Sequence, residues 1–95
     1  MLRFKFNEDK SDERFDWYEC PIDNWMVSII NSKEGKMFSV FVKKFIHEWW
    51  NRWYIELADH TSDNLKDAKQ IAKNLYEIAL QYNPPVKWNE REKLD

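Results

Sequence analysis

The residues best equipped for chemistry are Cys20, His47 and His60, with Asp59 beside the second histidine. A thiol nucleophile needs a base within hydrogen-bond reach and an orienting acid beyond it. The spacing here demands no such geometry, and Asp59 is the least implausible orienter. Zinc sites announce themselves by paired ligands a few residues apart, such as C-x2-C or H-x3-H, and neither pair occurs. Surface or core roles suit both histidines better. A second group, Asp9, Asp12, Glu13, Asp16 and Glu19, gathers carboxylates in one N-terminal stretch. It lacks the spacing and central glycine of an EF-hand. A solvated loop, or a strip that repels or imitates phosphates, accounts for it as well. We expect no cofactor, no metal and no enzymatic activity.

The third constellation is Lys43, Lys44, Trp49, Trp50 and Arg52. Cations among aromatics neutralise phosphates while stacking bases, so this set points to single-stranded DNA or RNA. Lys33, Lys36 and the Lys66, Lys69, Lys73 ridge would extend it. The net charge of −2 and pI near 5.7 oppose it, as does Glu48 inside the cluster. The charge is uneven, however. Residues 25–53 hold five Lys/Arg against two Asp/Glu, whereas residues 1–24 hold four against seven. The middle of the chain is a basic island in an acidic protein.

The elements that must position these groups follow from hydropathy. Ninety-five residues fit one domain, and 17% aromatics, six of them Trp, supply large side chains for its core. A lone Cys makes no internal disulfide. No apolar leader opens the sequence and no apolar run approaches a membrane span of roughly 18 residues. We therefore expect a cytoplasmic protein with no membrane contact. Leu2, Phe4 and Phe6 alternate with Arg3 and Lys5, a short half-buried strand; Asn7 to Arg14 reads as a polar loop. Phe15 to Cys20 reads as a strand that Pro21 ends. Trp25 to Ile30 and Met37 onward form a hairpin around Asn31–Lys36, where the only glycine, Gly35, is expected to supply the positive φ of the reversal. Residues 43–51 read either as an extended loop or as a second hairpin turn near 48–51. Arg52 to Ala58 reads as a further strand.

A helix is expected over about 62–82, capped by Thr61 or Ser62. Leu65, Ala68, Ile71, Ala72, Leu75, Ile78, Ala79 and Tyr82 form one apolar stripe, and Asn83-Pro84-Pro85 stops it. The expectation is an α+β domain over 1–85: an antiparallel sheet of three to five strands packed on one C-terminal amphipathic helix. Residues 86–95 read as a flexible charged tail.

Trp25, Val27, Ile29, Phe38, Val40, Val42, Trp53, Ile55 and Leu57 are expected to face that helix. The other face would show Met26, Ser28, Ile30, Met37, Ser39, Phe41, Lys43, Tyr54 and Glu56. That mixture carries more Met and aromatic surface than water favours. The N-terminal strand or the tail can cover it, a second copy can pair on it as a homodimer, or a partner can bind it. Trp49 and Trp50 are adjacent, so in extended chain they point opposite ways. The favoured reading is a non-enzymatic protein that binds another protein through Met26, Met37, Phe41, Tyr54, Trp49 and Trp50. The short, Lys- and Asn-rich, glycine-poor composition has the look of small phage or mobile-element products. An inhibitor or modulator of a host protein is the natural form of that reading. The alternative is the single-stranded nucleic-acid binder described above.

Overall fold

The computed structural model describes residues 2–47, 52–62 and 64–82. Five strands form one antiparallel sheet in sequence order, followed by one helix. They are β1 (Lys5–Phe6), β2 (Phe15–Ile22), β3 (Trp25–Ser32), β4 (Met37–His47), β5 (Arg52–Thr61) and α1 (Leu65–Tyr82). The α+β architecture, with a five-stranded antiparallel sheet and a single C-terminal helix, agrees with the pattern of the sequence.

The helix packs across β3, β4 and β5. Three small residues, Ala68, Ala72 and Ala79, are fully buried along its centre and let its backbone approach the sheet closely. Beneath them lie Trp25, Val27, Ile29, Val40 and Val42, all 0–1% exposed, with Cys20 from β2 at 4%. Tyr76 and Leu80 join this core from one flank of the helix, with the Tyr76 ring edge-on to Trp25 at 6.2 Å. Ile71 and Leu75 close the other flank, where Ile78 is left 39% exposed.

Several expectations are corrected. Pro21 does not end β2, which runs on to Ile22. Trp17 explains why. Its N–H donates to Ser11 Oγ at 2.9 Å and its carbonyl accepts from the Asn7 N–H at 2.8 Å, so odd-numbered residues of β2 turn their polar groups toward β1. By alternation Pro21 turns its donorless nitrogen the same way, beyond the last β1 pair, Lys5 with Glu19, and the β2–β3 ladder loses nothing. Strand β2 then turns tightly into β3 through Asp23, whose φ of 51° is one that Asp tolerates.

Gly35 does not carry the positive φ of the next turn; Lys36 does, at 51°. Gly35 instead donates its N–H to Ser32 Oγ at 3.2 Å, and a Cβ there would meet the same oxygen at 3.2 Å. The helix begins at Leu65, after the expected start. Its cap is Asn64, whose Oδ1 accepts the Asp67 N–H at 2.9 Å. Thr61 is the last residue of β5, opposite Phe38, and Ser62 precedes the cap.

Residues 43–47 belong to β4, which resolves part of the segment left open between loop and turn. The side chains of Trp53 and Ile55, expected on the helix face, lie outside the described structure, but the ladder register around them is irregular. A register shift next to Lys43 breaks the alternation: Leu57 stands opposite Val42, but Ile55 stands opposite Lys43 and Tyr54 opposite Lys44. Residues 55 and 57, two apart on β5, therefore meet strand positions of opposite parity on β4.

Candidate interaction face

The sheet has a second face, which the helix does not touch. The register aligns its residues in rows across β2, β3 and β4. Phe15, Ser32 and Met37 make the first row, and Trp17, Ile30 and Ser39 the second. Glu19, Ser28 and Phe41 follow, then Pro21, Met26 and Lys43. Phe15 and Met37 are among the few large apolar side chains with more than a third of their surface exposed, at 38% and 39%. Trp17, Met26, Ile30 and Phe41 are half-buried.

Strand β1 does not cover this face, and the tail beyond residue 82 lies outside the described residues. β1 extends the sheet at its edge, Phe6 lies edge-on to Tyr18 at 5.5 Å, and Leu2 and Phe4 pack against the core on the helix side. The loop over residues 7–14 covers only the β2 margin. There, Glu19 accepts hydrogen bonds from Asn7 Nδ2 at 2.6 Å and Lys10 Nζ at 3.1 Å. The Lys10 ammonium lies 5.4 Å from the centre of the Trp17 ring, and Lys43 Nζ lies 5.9 Å from it. Burial alone would push the Glu19 carboxyl up. The bonds from Asn7 and Lys10, with the charges of Lys10 and Lys43, outweigh it and hold the group below the usual glutamate value of 4.5.

Lys43 is also shifted down, which for a base disfavours the charged form. Burial, then the neighbouring Lys10 charge, lowers its pKa, and Glu19 only partly offsets them. Among the described residues its ammonium makes no hydrogen bond and no ion pair. Next to it in the weave lies Ser28, fully buried, with an Oγ that has no partner.

The residues singled out from sequence are not all assembled. Met26, Met37, Phe41 and Lys43 share the outer face. Lys44 lies on the opposite face, 3% exposed, with its ammonium 5.4 Å from the Trp25 ring. Burial there keeps Lys44 from contributing to a surface that meets phosphates. Arg52 stands opposite His47 and Tyr54 opposite Lys44 in the ladder; Trp49 and Trp50 lie outside the described residues. Phe15 and Trp17 were overlooked as outer-face residues. The alternation of Phe15, Trp17 and Glu19 with Asp16, Tyr18 and Cys20 carries that signal once β2 is known to pair with β3.

Among the described residues, Cys20 and His60 do not form a nucleophile–base pair, and the His47 side chain lies outside the described structure. Cys20 is buried on the helix face, while His60 is exposed and pairs with Ser39 on the other face. The His60 backbone N–H donates to Asp59 Oδ1 at 2.7 Å. Among the described residues, no three His, Cys, Asp or Glu side chains converge as metal ligands, and no helix is long and apolar enough to cross a membrane. Comparison with family models, curated proteins and solved structures returned no match to this chain.

Proposed function

We propose that this chain is a non-enzymatic binding protein that docks another protein on the outer face of its sheet. The observation that carries this reading is the exposure of Phe15 and Met37 on either side of Ser32. Two large apolar side chains, each more than a third exposed, sit in one row on a face that the helix leaves open. Ile30, Trp17 and Phe41 continue the apolar surface along the strands. A sheet with one wet side ordinarily alternates toward polar residues there. Aromatic and Met side chains on such a face instead match the composition of protein interfaces. A protein acting in this way works by occupying its partner's surface, as an inhibitor or modulator does.

The test is affinity capture from extracts of the cells that carry the gene, comparing the wild type with Met37→Glu and with Lys73→Glu on the exposed side of the helix. A partner retained by Lys73→Glu and lost with Met37→Glu supports the reading. Equal capture by all three removes the outer face as the binding surface. The nucleic-acid alternative keeps Lys43 beside Trp17 but is weakened by the burial of Lys44. Quenching of tryptophan fluorescence by an oligothymidylate at low salt, relieved at high salt, would favour it.

A further inference from the structure

We infer that the segment docked on this face is extended and acidic, placing one carboxylate on Lys43 and an apolar side chain about six residues away against Phe15 and Met37. The inference rests on the reading of the outer face as a protein-binding surface.

Two polar side chains on this face lack partners among the described residues. Lys43 presents a half-buried ammonium that has no hydrogen-bond or ion-pair partner among the described residues. Ser28, diagonal to it on the same face, holds a fully buried hydroxyl that is also unpartnered. Glu19, whose charge acts on Lys43, already accepts from Asn7 and Lys10. Two donors thus lie diagonally on one face, neither with a hydrogen-bond partner among the described residues. Buried polar groups in folded proteins are nearly always satisfied, and the Lys43 ammonium, the one of the two that reaches the surface, is what an incoming acceptor would complete. Desolvation and the Lys10 charge depress the Lys43 pKa, and the attraction of a carboxylate would offset them in favour of the ammonium.

The number of available cations favours a protein acid over a polyphosphate strand. Lys10 is bonded to Glu19 and Lys44 is buried on the other face. The loop beside the face adds Glu8, Asp9, Asp12 and Glu13, which repel a run of phosphates. What remains is Lys43 among the central strands and the exposed Lys5 at the β1 edge, too few cations for a run of phosphates. The spacing comes from β4. Lys43 and Met37 lie on the same face six residues apart, about 20 Å at the rise of a β-strand. An extended segment spans that distance in six or seven residues.

The experiment pans a random peptide display library on the immobilised full chain. Capped synthetic versions of the enriched peptides are then titrated by fluorescence anisotropy. Enriched sequences are expected to carry Asp or Glu five to seven positions from a large apolar residue. Changing that acid to its amide, or Lys43→Met, should each weaken binding about tenfold or more, as for a hydrogen bond to a charged group. Combining the two should add little. The peptide-side change leaves the protein intact, so poor folding of Lys43→Met cannot hide the result. Peptides that depend on Met37 but show no acid preference and ignore Lys43→Met overturn the inference and leave the binding face standing. No enriched peptide, or peptides indifferent to Met37→Glu, overturns both. Oligothymidylate binding that needs Lys43, with no peptide binding, replaces the acidic segment by nucleic acid.

Discussion

The two faces of one sheet are built from similar strands yet solve opposite problems. Toward the helix, Val27, Ile29, Val40 and Val42 are fully excluded from water beneath three alanines, and the charged exception, Lys44, is folded against the Trp25 ring. Away from it, apolar side chains are left half-covered, and the polar ones are joined in a small network around Glu19. The first arrangement gains stability from close packing. The second leaves a buried hydroxyl unpaired and aromatic rings wet, which is costly in a domain of this size unless something else uses that surface. The contrast teaches where to look for function: on the face that folding alone does not account for.

The comparison breaks most visibly in the core. Ile29→Ala should lower unfolding free energy by about 3 kcal/mol or more in a urea titration, because the cavity lies under a helix that cannot collapse onto it. Phe41→Ala, half-buried on the outer face, should cost clearly less. Equal losses would mean that the outer face is a second core.

Glu19→Gln is expected to cost about 1–2 kcal/mol at neutral pH, from hydrogen bonds that now lack a charged acceptor. The pH dependence has a definite sign. The folded-state pKa of Glu19 lies below its unfolded value near 4.5, so its contribution is complete above that pH and is lost as pH falls through the lowered value. The wild type and the variant should therefore converge on acidification; a gap that persists unchanged to low pH would show that the charge is not what matters.

Ser28→Ala should raise stability by about 1 kcal/mol, since it removes an unsatisfied buried hydroxyl. A loss would mean that the hydroxyl is paired in solution. The smallest effect is expected at the hairpin tip. Lys36→Gly should gain about 0.5–1 kcal/mol by relieving a left-handed backbone position without touching either face.

Much of this architecture was legible in the sequence. Period-two alternation in Trp25–Ile30 and Met37–Val42 assigns both faces of β3 and β4 correctly, because nothing interrupts the ladder there. The stripe from Leu65 to Ala79 reads equally well, although Tyr76 and Leu80 were missed as its second flank. What failed depended on particular local chemistry. Pro21 is tolerated because of which side its nitrogen faces, and that is known only once Trp17 is seen bonded to Ser11 and Asn7. A single register shift beside Lys43 moves Ile55 out of step with Leu57, and no residue pattern announces it. The adjacent Lys43 and Lys44 looked like one cationic patch, yet strand geometry necessarily sends them to opposite faces. The network of Asn7, Lys10 and Glu19 joins residues up to twelve apart through a loop whose path the sequence does not reveal.

The central claim is that the outer face, and not the helix surface, meets the partner. It is tested most directly by placing a photo-crosslinking benzoylphenylalanine at Met37 or at Gln70 on the exposed side of the helix, and irradiating each protein in extracts of the cells that carry the gene. The account predicts one discrete protein adduct from position 37 and none from position 70. No adduct from position 37, or the same adducts from both, would contradict it.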